Sequence, residues 1–194
     1  MSKTRLEAFS DGVMAIIITI MVLEFKVPEN GDLESLIPLV PTFISYLLSF
    51  LFIGIYWGNH HHLLHPVKHI SSGIMLANLN LLFWLSLVPF ATGWMGENNF
   101  EPPTVALYAI LLNFCGISYT ILQQTIVKYH DFNPAMKNAM RKQSNKGKIS
   151  VIAYTAAIPL AYIEPFISEF LFFAIGVLWL LPDKNIERAT TEVE

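Results

Sequence analysis

The sequence has one cysteine, Cys115, and it sits inside an apolar run. One thiol excludes a disulfide framework or a cysteine metal site within the chain, so Cys115 reads as a small buried hydrophobe. Charge is scarce as well. Asp, Glu, Lys and Arg make up 14% of 194 residues, against 54% hydrophobic, and the mean hydropathy is +0.49. That is too apolar for an ordinary soluble domain, and the length leaves room for one membrane bundle and little else. There is no Walker loop, no G-x-S-x-G and no HExxH, so no enzyme, resident cofactor or nucleic-acid partner is expected. A TVGYG stretch is missing, which rules out the carbonyl-lined filter of a conventional potassium channel. No small-x-small site follows Leu23; Glu24 and Lys26 do. The first apolar segment is therefore expected to stay in the mature protein rather than leave as a signal peptide.

What the chain does have is apolar length. Six stretches, at about 6–25, 39–64, 74–94, 104–126, 149–163 and 166–181, are read as membrane-spanning helices of one domain covering 1–194. The expected fold is an all-α integral membrane protein, a six-transmembrane-helix bundle. Pro28 to Asp32 is rich in turn formers, His65-Pro66 stops the second stretch, and Pro89 should kink the third. A polar connection runs from Lys128 to Lys148. The last two stretches are short, joined by Glu164-Pro165, and read as a helical hairpin that is tilted or set in a thin region.

The loop charges alternate. Lys3 and Arg5, then Lys68, then Lys128, Lys137, Arg141, Lys142, Lys146 and Lys148, then Lys184 and Arg188 lie on one side. Glu29, Asp32, Glu34, Glu97, Glu101 and Glu164 lie on the other, opposed only by Lys26. An even number of spans with both termini cytoplasmic satisfies every loop, and a bacterial inner membrane is the expected location. The basic connection faces anionic lipid or plain solvent at that side.

The first stretch runs RLEAFSDGVMAIIITIMVLEF from Arg5 to Phe25. From Val13 to Leu23 its only polar residue is Thr19. At ~100° per residue, Ile16, Ile20 and Leu23 share one stripe, with Thr19 at its edge and Phe9 and Gly12 extending it. Asp11 points to nearly the opposite side, toward other protein. A charge at such a place costs ~2.5–3.5 kcal/mol on insertion scales and marks a functional position. Periodicity leaves open whether the stripe meets lipid, a neighbouring helix or a symmetry axis.

Arg5, Phe9-Ser10-Asp11, Ile16, Thr19 and Leu23 resemble the first-helix signature of the transmembrane-protein-175 family, which comprises the endolysosomal potassium channel of animals and its bacterial homologues. The likeness continues through Trp57–His61 and Asn78–Phe90. It implies a homotetramer in membrane lipid, conducting monovalent cations with potassium as the permeant ion. On the resemblance, Ile16, Thr19, Ile20 and Leu23 line the pore. Arg5, Phe9, Ser10 and Asp11 join Asn59, His60, His61, Asn78 and Trp84 in a network that holds the pore helix. Animal members carry two copies of the unit; this chain has one.

Two other readings of the same residues stand beside it. Asp11 with His60 to His65 would suit a proton- or metal-coupled secondary transporter. His61 and His65, spaced i, i+4, are a candidate zinc pair that needs further ligands. Paired histidines would also suit an axially ligated haem.

Overall fold

The computed structural model describes residues 2–180, and among these there is helix and no strand. Lys184, Arg188 and the last residue of the sixth stretch lie outside the described residues. The helices are α1 (Lys3–Leu23), α2 (Val40–Leu64, led in by a tight turn over Glu34–Leu39), α3 (Ser72–Ser86), α4 (Val88–Glu97), α5 (Pro102–Tyr129), α6 (Pro134–Ala161) and α7 (Pro165–Leu180). Four helical stretches, Lys3–Leu23, Glu34–Leu64, Ser72–Glu97 and Pro102–Tyr129, are long and apolar enough to cross a bilayer, and Pro165–Leu180 is a shorter apolar helix.

Local chemistry sets the starts. Ser2 accepts from the Arg5 amide, Ser71 from that of Ile74, and Asn133 from that of Met136, so each caps a first turn. Pro102-Pro103 opens α5, where a missing N–H costs nothing. Pro89 interrupts the helical hydrogen bonding at Leu87, which stays right-handed, so the two helices follow each other in one apolar stretch. α3 ends at Ser86 and α4 begins at Val88, because Pro89 has no N–H for the Leu85 carbonyl and its ring crowds that turn.

α6 departs from the sequence reading. The segment from 128 to 148 is mostly helix, and α6 starts at Pro134 rather than near 149. Its lower half is polar but amphipathic, burying Met136, Ala139, Met140, Gln143 and Gly147 against the bundle. Hydropathy sees only the apolar half; the helix is twice as long.

α1 to α4 form one group, in which α2 packs on α4 and α1 on both α2 and α3. α5, α6 and α7 form the other, and α5 joins the two through α3 and α4. α2 and α4 cross closely. A Cβ at Gly96 would sit 2.5 Å from Ser45 Oγ and 2.6 Å from Thr42 Cα. Small residues let these backbones approach, and Ser49 exchanges hydrogen bonds with Thr92 (2.7 Å) and Tyr108 (2.8 Å) beside the crossing. Gly96→Ala must therefore push two helices apart, at the ~1–3 kcal/mol typical of an overfilled core. The expected result is a clearly lowered melting temperature in detergent. Gly176→Ala, whose Cβ would meet only Leu51 at an ordinary 3.5 Å, should melt like the parent.

Candidate functional site

α1 buries Leu6, Ser10, Met14, Ile17 and Met21 along one face. The opposite half of its circumference is bare. Ile16 is 57% exposed, Ile20 42% and Leu23 77%, and Phe9 and Thr19 are exposed on the same side. A Cβ on Gly12 would meet nothing within 4 Å. The Thr19 hydroxyl donates to the Ile16 carbonyl at 2.9 Å, which leaves its oxygen lone pairs facing outward.

Behind the stripe lies a buried polar chain across three helices. Asn78 of α3 donates from Nδ2 to Ser10 Oγ of α1 at 2.9 Å. Its Oδ1 meets His60 Nε2 of α2 at 2.6 Å. Since the Asn78 amide nitrogen is spent on Ser10, its oxygen accepts, and His60 carries its hydrogen on Nε2. Ser10 passes its own hydrogen to the Leu6 carbonyl at 2.8 Å. All three side chains are buried, so the chain is closed and satisfied.

Asp11 lies one residue round the helix and is exposed in the chain. Its partner is the indole of Trp57, whose Nε1 donates to Oδ1 at 3.0 Å. Lys3 bonds the His65 carbonyl at the foot of α2 and lies 3.8 Å from Glu7. Lys3–His65, Ser10–His60 through Asn78, and Asp11–Trp57 follow one antiparallel register between α1 and α2. Above the helix Lys26 pairs with Glu97 at 2.7 Å, and that hydrogen-bonded carboxylate holds the Lys26 ammonium above its usual range.

Several residues expected together are apart. Asn59 does not reach α1. Its Oδ1 accepts from Gln143 (3.1 Å) and its carbonyl from Tyr119 (3.1 Å), in a second polar cluster between α2, α5 and α6. Trp84 stacks on Phe114, with ring centroids 4.3 Å apart, and takes no part in the chain. Arg5 and Phe9 are exposed, and Arg5 has no acidic partner among the described residues. His61 lies against His62 and His65 at ring-centroid distances of 5.7 and 6.1 Å. Among the described residues no three His, Cys, Asp or Glu side chains converge as a metal site would require. Trp57 and Lys3 were missed as partners. Trp57 stands one turn before His60 and His61, so the spacing that singled out the histidines pointed to it too.

The sequence matches the family model "Endosomal/lysosomal potassium channel TMEM175" over residues 5–89. It is 47% identical to a potassium channel of Chryseobacterium sp. (strain P1-3) over 192 residues, covering 99% of this chain and all of that one. To the endosomal/lysosomal proton channel TMEM175 of Danio rerio it is 26% identical, over 92% of this chain and 35% of the relative. The crystal structure of a lysosomal potassium-selective channel TMEM175 homolog from Chamaesiphon minutus superposes with a TM-score of 0.82 at 27% identity, covering 92% and 96% of the two chains.

Proposed function

The chain belongs to the TMEM175 potassium channel family, and on that premise we propose that it forms a potassium-permeable pore from four copies arranged around α1. The observation that carries this reading is the bare apolar half of α1. The stripe Ile16, Ile20 and Leu23 faces the axis, with Ile16 as the tightest ring. The adjoining flank, with Ala8, Asp11, Ala15 and Val22 also exposed, is wider than a pore lining needs. It supports a contact with the next copy, where Arg5 and Phe9 are available too. The Ser10–Asn78–His60 chain and the Asp11–Trp57 bond fix the back and side of the pore helix.

The domain is one unit over 1–194, with spans in α1, α2, α3–α4, α5, the apolar half of α6, and α7. Both termini lie in the cytoplasm of a bacterial cell, at its inner membrane, as the alternating loop charges favour. A ring of isoleucine offers an ion no ligands, so closure works by dewetting and selectivity is weaker than in a carbonyl-lined filter.

The test is the reversal potential of purified protein in a planar bilayer with asymmetric potassium and sodium. A reversal displaced from zero toward the potassium equilibrium value, and short of it, is expected. A reversal at zero, or flux saturating at transporter rates, would overturn the reading. Thr19→Val refines it, since the side chain keeps its shape and loses its lone pairs. The mutant should conduct, with a reversal potential shifted toward sodium. An unchanged value would mean that the hydroxyl does not meet the ion.

A further inference from the structure

The exposed seam between α5 and α6 forms an apolar groove of about 360 Å³, lined by Ile117, Thr120 and Ile121 of α5 and Lys148, Val151 and Ile152 of α6. The Thr120 hydroxyl is turned inward to the Gly116 carbonyl at 2.9 Å, so the wall offers a ligand almost nothing polar. The one charge is Lys148, at the end where α6 turns from apolar to polar. Arg141 lies seven residues earlier on nearly the same face, ~10 Å further down the helix. Both are exposed, and neither has an acidic partner among the described residues.

Length decides what fits. From Ile149 to Ala161, α6 offers thirteen residues whose only hydroxyl side chains besides Tyr154 are Ser150 and Thr155, ~20 Å of helix against a hydrocarbon core of ~30 Å. Lys148 therefore starts inside the level of the headgroups and must reach out along its own stem or draw a headgroup in. A cation at the mouth of an apolar groove, in a membrane, matches a chain with an anion at its end.

We propose that the α5–α6 groove seats an acyl chain of an anionic phospholipid, with Lys148 and then Arg141 holding its phosphate. The occupant is selected by charge, since the groove walls would accept any acyl chain. One cation near a lipid surface supplies roughly fivefold preference for an anionic headgroup.

The test uses the whole channel in phosphatidylcholine vesicles containing dibrominated phosphatidylglycerol or, separately, dibrominated phosphatidylcholine at equal mole fraction. Ile121→Trp reports from the groove and Phe173→Trp from the lipid-facing side of α7, each after subtraction of the parent's fluorescence. Brominated phosphatidylglycerol should quench the groove reporter with about fivefold preference, and the α7 reporter with none. Lys148→Gln should lower the preference at the groove, and Lys148→Arg should keep it. Equal quenching by both lipids overturns the proposal, as does an equal preference at both reporters or one that survives Lys148→Gln. Absence of quenching by either lipid would mean that another copy covers the groove. Potassium flux in the same vesicles is a separate readout, so failure of the pore reading would be seen independently.

Discussion

Ile16→Asn will give larger currents than the parent and discriminate less between potassium and sodium. Ile16 is exposed on the bare face of α1, and on the proposed assembly four copies of it meet at the axis. The barrier there is the absence of water: an ion must shed hydration with nothing to replace it, and an unpaired charge in apolar surroundings is very costly. Four amides would let the ring wet and offer oxygen ligands, so conductance should rise several-fold while the reversal potential moves toward zero. Ile17→Asn separates position from polarity. Ile17 is 3% exposed and lies ~100° round the helix. An amide there is stranded in the core, at ~1–3 kcal/mol for an unsatisfied polar group. It should lower thermal stability and leave the selectivity of the surviving channels intact. An Ile16→Asn protein that assembles normally with unaltered conductance would remove α1 from the conduction path at this level.

Asn78→Leu is expected to cost the oligomeric peak in size-exclusion chromatography. The substitution removes both bonds of the buried chain at once, leaving His60 Nε2 and Ser10 Oγ without their partner. The stranded His60 N–H carries a desolvation cost of ~1–3 kcal/mol, while Ser10 keeps only its bond to its own helix at the Leu6 carbonyl, so α1 loses its polar tie to α2 and α3. Asn80→Leu is the control. Asn80 donates to Ser118 Oγ at 2.8 Å from the exposed side of α3, so its loss breaks one bond to α5 and leaves the backing of α1 untouched. If Asn78→Leu assembles and melts like Asn80→Leu, the chain does not hold the pore helix.

These two sites differ in how far the sequence revealed them. The stripe on α1 was legible because Ile16, Ile20 and Leu23 repeat at helical spacing in a run with one polar member. The involvement of Ser10, His60 and Asn78 was legible as polar residues in apolar helices, but not their pairing. Asn59 and His60 are neighbours in sequence and ~100° apart on the helix. One therefore turns to α1 and α3, and the other to α5 and α6. The resemblance groups Trp84 with Asn78, yet six residues of helix carry it round to Phe114. The lower half of α6 escaped because hydropathy measures apolar length rather than helix length. Its signals were present all the same: the Asn133-Pro134 cap and the buried Met136, Ala139, Met140 and Gln143 at helical spacing.

The side-chain bonds that tie α1 to its neighbours are concentrated at one end. Lys3, Ser10 and Asp11 hold its first half. Beyond Asp11, among the described residues, the helix meets other helices through apolar packing and one long 4.0 Å contact from the Thr92 hydroxyl to the Met21 sulfur. Past its other end, among the described residues, the exposed Lys26–Glu97 pair is the one ionic tie to α4, and exposed pairs hold weakly, so the firmer polar clamp is at the base, as in a lever. Leu23 lies twelve residues past the clamp, ~18 Å along the axis, and Ile16 only five, ~7.5 Å. A rocking of α1 about Asp11 therefore displaces the Leu23 end more than twice as far as the Ile16 level. In a fourfold assembly the outer ring would breathe while the inner one keeps its bore. A change of stimulus that widens Ile16 must then act at the base of the lever, where Lys3, Ser10 and Asp11 are held.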